Sequence, residues 1–208
     1  MRPISYRALS FATPLLVCAA AFGQPVTGQE RPAPPPLEEI ERGFFIGVDA
    51  GVNFVINPPA NAGPRPFSTG QVIRLELGYD LGERVSLSAF VIGAANRASS
   101  EYIGVSGGTA SGDFWMLTPG ASVRVNAVGF ADAQDVQRTW LYARLGVGYS
   151  FFSPSELVPR DVLVFVGPGV EYYTRLRHFS IGVEVTGSML VSSGAFGFAV
   201  TPHLRYAF

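Results

Sequence analysis

Apolar side chains at every second position are the feature that most constrains the fold of this chain. A β-strand has a side-chain period of two, so such a segment has one apolar face and one polar face. Segment 43–55 shows the pattern, with Phe44, Ile46 and Val48 on one face and Gly47 and Asp49 on the other. The alternation returns along the chain and predicts eight strands, at 43–55, 72–81, 85–96, 113–126, 141–151, 162–172, 179–189 and 198–208.

The connections between these segments favour a closed antiparallel barrel over a soluble sandwich, which also alternates. Segments 56–70, 97–112 and 153–160 are long and polar or rich in Gly and Pro, whereas the turns near Gly82 and at 175–178 are short. Membrane barrels have short turns on the periplasmic side and longer loops outside. Segment 127–138 departs from this pattern, because it predicts a long connection where a short turn is expected. The strands are roughly 10 residues long, which is enough for a tilted strand to cross a bilayer.

Aromatic residues on the apolar faces sort to the two ends of the predicted strands, as two interfacial girdles would. With both termini placed in the periplasm, one girdle contains Phe44, Tyr79, Trp140 or Tyr142, Tyr172, Phe179, Tyr206 and Phe208. The other contains Phe54, Trp115, Phe151 and Phe198. The chain also stops on an aromatic residue, Phe208. We therefore expect an all-β fold, an eight-stranded antiparallel up-and-down transmembrane β-barrel covering residues 43–208.

The N-terminal part reads as an export signal followed by a spacer. Residues 1–23 combine Arg2 and Arg7 with an apolar stretch and small residues before a cleavage site after Ala21 or Gly23. Cys18, the single cysteine, offers a lipoprotein signal as the alternative, but Val17 is a poor residue before an acylated cysteine. Residues 24–42 contain five prolines and predict an extended periplasmic leader, which is either disordered or a docking segment.

Composition excludes some functions. The formal net charge is -1, so there is no electrostatic case for a nucleic-acid partner. The 24 glycines and 12% aromatic residues are typical of twisted β structure with tight turns.

Several segments resemble known bacterial barrels. Residues 200–208 (VTPHLRYAF) look like the C-terminal signal that the barrel-assembly machinery reads, with Val200, Leu204, Tyr206 and Phe208 as its apolar positions. Segments 141–149 (LYARLGVGY) and 167–173 (GPGVEYY) look like strands of small OmpA/OmpX-like outer-membrane barrels. The signal, the Pro-rich leader and the lone barrel also resemble barrels of myxobacterial adventurous gliding motility. These resemblances imply a bacterial outer-membrane location, with both termini periplasmic.

The polar faces carry balanced charges that would point into the barrel. An eight-stranded barrel is only wide enough for side chains to fill, so charges inside it should pair. We predict either a structural ion-pair plug or, alternatively, a narrow or gated pore. Its residues would be Asp49, Glu76, Glu171, Glu184, Arg74, Arg124, Arg144 and Arg205.

Pro119, Pro168 and Pro202 interrupt three predicted strands, although proline cannot donate to a strand ladder. Local β-bulges at these positions are the expected accommodation.

Nothing in the sequence indicates catalysis, a cofactor or a metal. His178 falls in a predicted turn and His203 on a lumen face, and neither is near a serine and a carboxylate on the outer face. The favoured function is a non-enzymatic envelope scaffold or anchor, in a gliding-motility or other trans-envelope complex. A small pore is the first alternative and a lipid-modifying enzyme the second. Expected partners are outer-membrane lipid, the assembly machinery during insertion, and proteins of such a complex.

Overall fold

The computed structural model describes residues 40–57, 69–97, 113–153 and 160–208, and these segments form eight β-strands. Within them no helix is long and apolar enough to cross a membrane. The expected signal and all of the leader except residues 40–42 lie outside the described residues. The strands are β1 (Phe44–Asn57), β2 (Gly70–Asp80), β3 (Val85–Arg97), β4 (Asp113–Ala131), β5 (Gln137–Ser153), β6 (Arg160–Tyr173), β7 (Phe179–Leu190) and β8 (Phe196–Ala207).

Each strand pairs antiparallel with its neighbour in sequence, and β1 pairs with β8, so the sheet closes. Phe44 stands opposite Tyr79 on β2, while Phe45 stands opposite Ala207 on β8. Closure leaves no sheet edge with unpaired backbone groups. The predicted eight-stranded antiparallel barrel is confirmed.

The two faces of the sheet divide as the alternation predicts. Leu75, Leu77 and Leu145 point outward and are more than half exposed. Arg74 and Glu76, which alternate with the two leucines of β2, are buried inside the barrel. On β5 the alternation of exposed and buried residues continues over nearly the whole strand. The outer face of the barrel is therefore apolar, and its charged side chains point into the lumen.

The strand connections define two ends. At the first, which we term the termini end, lie Phe208, the described N-terminal residues and the connections 81–84, 132–136 and 174–178. The other ends of the strands form the loop end, where the described connection 191–195 lies. The expectation of a long connection at 127–138 is wrong. The register shifts between Asn126 and Val128, which moves the alternation by one residue and lets β4 continue to Ala131.

The outward aromatics lie near the two ends, with two corrections. Phe44 and Tyr79 pack edge to face at the termini end, and Phe54 and Phe198 stack near the loop end with ring centroids 4.5 Å apart. Trp140 and Tyr142, however, are buried inside the barrel rather than in a girdle. They occupy the same face of β5 as Arg144, which the apolar character of their rings concealed.

The expectation of bulges at the three prolines is also wrong. Pro119, Pro168 and Pro202 all lie in regular strands with their side chains outward, and the register is the same on both sides of each. Each proline instead interrupts the hydrogen-bonded pairing with one neighbouring strand: Pro119 with β5, Pro168 with β7 and Pro202 with β1. Two consecutive residue pairs are missing at each of these places. A missing donor therefore costs local pairing without shifting the strands.

Candidate functional site in the barrel interior

The inward residues form two zones, which differ in chemistry. We term the first the charged layer; it consists of Asp49, Arg74, Glu76, Asp80, Arg124, Arg144, Glu171, Glu184 and Arg205, all buried. The second lies nearer the loop end and is apolar. Because strands from opposite sides of the barrel face each other across the lumen, residues far apart in sequence meet here.

Glu184 on β7 is the centre of one half of the charged layer. Its carboxylate lies 2.9 Å from Arg74 Nη2 and 2.8 Å from Arg144 Nε, and it accepts a 2.9 Å hydrogen bond from the Tyr142 hydroxyl. Arg74 also pairs with Asp49, and Arg144 pairs with Glu76. Two arginines and three carboxylates from four strands are thus joined in one network.

Glu171 on β6 is the centre of the other half. It forms an ion pair with Arg124 and accepts a 2.6 Å hydrogen bond from the Ser180 hydroxyl. Arg205 Nη1 and His203 Nε2 lie 4.0 and 3.8 Å from its Oε1. Arg205 is in addition paired with Asp80, which the Ser86 hydroxyl binds at 2.6 Å.

All eight residues expected in a lumen network point inward and take part in these contacts. Sequence reasoning omitted three further members, Asp80, His203 and Tyr142. Asp80 lies on the same face of β2 as Glu76, and His203 lies on the same face of β8 as Arg205. The period of two therefore indicated that both side chains point into the lumen. Tyr142 was assigned to the wrong face.

Aromatic rings pack against the arginines of the charged layer. The Arg124 guanidinium lies 4.7 Å from the Tyr142 ring centre, and that of Arg205 lies 3.6 Å from the Phe45 ring centre. Such cation–π contacts add to the carboxylate pairs in a desolvated setting. The Glu171 and Glu184 side chains have no exposed surface. The charged layer therefore fills this level of the lumen with buried side chains whose charges are paired, as buried charges must be.

The apolar zone was not predicted. We term it the apolar chamber; its walls include Phe90, Ile92, Phe152, Leu163, Phe165 and Leu190. Phe90 and Phe165 pack edge to face with ring centroids 5.4 Å apart. Val55, Val72 and Met116 are half-buried against this cluster. A cavity of about 100 Å³ lies within the chamber, and Arg74 stands at its boundary with the charged layer.

The C-terminal residues that resemble an assembly signal lie along the outer face of β8. Leu204 and Phe208 are exposed, and Val200 and Tyr206 are half-buried on the same side. Tyr206 packs edge to face against Phe179 and Phe208. The Phe208 amide donates to the Phe44 carbonyl, which ties the end of the chain to β1.

Neither histidine forms a catalytic triad with the described residues. His178 Nδ1 lies 2.8 Å from the Ala207 carbonyl oxygen, and its ring stacks on Tyr206. His203 is buried next to Glu171, and the Glu171 carboxylate lies between the His203 ring and the Ser180 hydroxyl. A catalytic triad instead needs the histidine between the serine and the carboxylate. In the described segments, no group of three or more His, Cys, Asp or Glu residues could hold a metal ion.

Comparisons with known proteins bear on the fold. No family model matches the sequence, and no curated protein does. The structure is similar to Neisserial surface protein A, with a TM-score of 0.55 and 16% identity over 82% of this chain and 100% of that one. It is also similar to Ail, the attachment invasion locus protein of Yersinia pestis, solved with the heparin analogue sucrose octasulfate. That match has a TM-score of 0.51 and 13% identity over 81% of this chain and 100% of Ail. The chain thus has the fold of small eight-stranded outer-membrane barrels.

Proposed function

We propose that this protein is a non-enzymatic outer-membrane barrel that acts as an anchor or scaffold in the cell envelope. The observation that carries the proposal is the charged layer, whose paired and buried side chains occupy the lumen and support a barrel that is closed to solutes. A barrel closed in this way offers other molecules its rims and loops rather than a passage. The exposed apolar outer face and the two aromatic girdles support a location in the outer membrane.

Contacts of the last leader residues support an anchoring role at the termini end. The Glu41 amide donates to the Arg177 carbonyl at 3.2 Å, and the Glu41 carboxylate lies 3.4 Å from the Arg177 guanidinium. The Arg42 guanidinium stands 5.3 Å from the centre of the Tyr173 ring. These contacts hold Glu41 and Arg42 against the barrel rim, at the end that the proposal assigns to the periplasm.

Crosslinking and co-purification from cells tests the anchor. We expect the full-length protein to capture envelope proteins that a variant without residues 24–39 does not capture, while both insert equally. A trans-envelope complex, such as a gliding-motility machine, is the setting that the sequence resemblance suggests. Equal recovery of all partners by the two forms would contradict a docking role for the leader.

Planar-bilayer recording separates the anchor from the alternative function, a pore. We expect no steady conductance from the purified wild-type barrel. Breaking the plug with Arg124→Ala together with Glu171→Ala should introduce conductance if the plug alone closes the lumen. Steady wild-type channels would overturn the proposal and favour the pore.

A lipid-modifying enzyme would leave a chemical trace in the membrane. We expect identical lipid A mass profiles in cells with and without the protein. A mass difference of one acyl chain that depends on the protein would overturn the non-enzymatic proposal.

A further inference from the structure

We propose that Glu41 and Arg42 form a strap across the lumen mouth at the termini end, and that Tyr173 couples this strap to the charged layer. The strap would pass the state of the leader to the barrel interior, and in that respect it rests on the proposed function. The strap itself needs no partner, so it can be tested on the purified protein.

The two residues are bonded to opposite sides of the mouth. The Glu41 amide donates to the Arg177 carbonyl, in the connection between β6 and β7, at 3.2 Å. Arg42 Nη1 donates to the Glu83 carbonyl, in the connection between β2 and β3, at 3.4 Å. In the closed strand order, β3 to β6 separate these connections on one side, and β7, β8, β1 and β2 separate them on the other. The backbone of Glu41 and the side chain of Arg42 therefore bridge the width of the barrel.

Gly43 turns the chain from the mouth into β1. Its carbonyl accepts a 2.9 Å hydrogen bond from the Asp80 amide, beside the end of β2. Its φ is +135°, a backbone conformation that residues with a side chain rarely adopt. The chain thus reaches the first strand on a side of the mouth that lies between the two connections that hold the strap.

The Arg42 side chain covers an inward aromatic ring. Its guanidinium carbon lies 5.3 Å from the centre of the Tyr173 ring, within the range of a cation–π contact. Tyr173 is the last residue of β6, where a ring that faced an open mouth would touch water, yet only 4% of it is exposed. The strap therefore helps to keep water from this ring.

Tyr173 connects the strap to the charged layer. Its hydroxyl accepts a 3.3 Å hydrogen bond from Arg124 Nη2, and Arg124 forms an ion pair with Glu171. The ring thus lies between Arg42 and Arg124, and a displacement of either guanidinium moves it. Coupling between two sites is reciprocal, so a change at Glu171 must also be felt at the strap.

Fluorine NMR of the full-length protein in nanodiscs tests the cover. With 3-fluorotyrosine in place of tyrosine, the difference between the fluorine shifts in light and heavy water reports the contact of each ring with water. We expect a difference near zero at Tyr173 in the wild type and a severalfold increase in Arg42→Ala. Arg175→Ala is the matched control, because it removes an exposed arginine from the same end and should leave Tyr173 dry. Tyr142, inside the charged layer, should be unchanged in both variants.

Hydrogen exchange of the Glu41 amide tests how the strap is held. Its bond to the Arg177 carbonyl should slow exchange, and loss of such a bond should speed it by about tenfold. Arg42→Ala should speed the exchange by this factor, because it removes the contacts that hold the strap at Glu83 and Tyr173.

The same exchange rate tests the coupling when the charged layer is altered. Glu171→Gln weakens the ion pair with Arg124 and should speed exchange at Glu41; Arg124→Lys replaces it if that variant does not fold. Glu76→Gln is the matched control, because Glu76 belongs to the other half of the layer. Tyr173→Phe keeps the ring but removes its hydroxyl, so Glu171→Gln should have no effect on Glu41 in that background.

Each part of the proposal can be overturned separately. A wild-type Tyr173 with as large a shift difference as free 3-fluorotyrosine would overturn the cover. So would an Arg42→Ala variant in which Tyr173 and the Glu41 amide behave as in the wild type. Equal exchange at Glu41 in Glu171→Gln and Glu76→Gln would overturn the coupling. These results are independent of whether the leader captures envelope proteins, which crosslinking measures.

Discussion

Replacing Glu171 by alanine should destabilise the barrel strongly. The Glu171 carboxylate has no exposed surface and is the ion-pair partner of Arg124, whose remaining polar contact is a 3.3 Å hydrogen bond to the Tyr173 hydroxyl. Arg205 keeps a second carboxylate, Asp80, so the change leaves one buried guanidinium without a carboxylate. Breaking a buried ion pair from one side costs about 3–5 kcal/mol. At a slope of about 2 kcal/mol per M urea, the unfolding midpoint should fall by about 2 M.

Equilibrium unfolding in lipid vesicles, followed by tryptophan fluorescence, measures this effect. Trp140 is buried in the lumen and Trp115 is exposed on the outer face, so the two report on different surroundings. Glu41→Ala is the matched control, because it removes a carboxylate from an exposed pair and should cost less than about 1 kcal/mol. The double variant Glu171→Leu with Arg124→Met removes both charges and should regain most of the loss. Equal midpoints for Glu171→Ala and Glu41→Ala would refute the reasoning.

Two further predictions concern the outer face and a turn at the termini end. Leu145→Arg places a charge on the outward face of β5 and should reduce the free energy of unfolding in vesicles by about 2–4 kcal/mol; a neutral result would argue against hydrocarbon at that position. Desolvation raises the pKa of Asp132, but hydrogen bonds from the Val136 amide, the Arg138 side chain and the Gln134 amide outweigh it and hold that pKa below its usual value of 3.8. A lowered pKa means that the turn gains stability at neutral pH and loses it only as the pH falls through the folded-state value. A carboxyl NMR titration midpoint at or above 3.8 would contradict this, and Asp132→Asn should remove the pH dependence.

The alternation of side chains was enough to predict the strands, the closure and the inward direction of the charges. Asp49, Arg74 and Glu76 each stand between outward apolar residues, so their direction followed from the period alone. Which arginine meets which carboxylate did not follow. Arg74 and Glu184 are 110 residues apart and meet only because β2 and β7 face each other across a narrow lumen. Pairing of this kind depends on strand stagger, which one sequence does not reveal.

The apolar chamber escaped prediction because its residues break the rule on which the fold was predicted. Phe90 and Ile92 blurred the polar face of β3, and Leu163 and Phe165 lie between the outward valines of β6. A segment that is apolar on both faces shows no alternation, so its sequence predicts a fully buried strand or gives no clear strand face. In a barrel the same pattern marks a strand with hydrocarbon outside and an apolar lumen inside. This pattern in two strands, β3 and β6, toward their loop ends was the available signal.

The structure also explains how a narrow barrel holds such large inward residues. Several of them stand directly opposite an inward glycine on the neighbouring strand: Phe45 and Gly78, Glu76 and Gly47, Phe90 and Gly120, Tyr142 and Gly169, Phe165 and Gly146, and His203 and Gly182. A Cβ atom at Gly169 would lie 2.3 Å from Tyr142 Cζ, and one at Gly47 would lie 2.7 Å from Glu76 Cγ. The glycines therefore supply the volume that the plug and the chamber walls occupy.

This pairing makes a specific prediction for Gly169→Ala. The added methyl group would push the Tyr142 ring, whose hydroxyl donates to Glu184, away from the centre of the charged layer. Overpacking of this kind costs about 1–3 kcal/mol, which vesicle unfolding can resolve. Gly93→Ala is the control, because its Cβ would meet nothing nearer than Ile73 Cγ2 at 3.5 Å. If the two variants unfold at the same urea concentration, the inward glycines do not serve to make room for the plug, and the lumen must be less tightly filled than its contacts indicate.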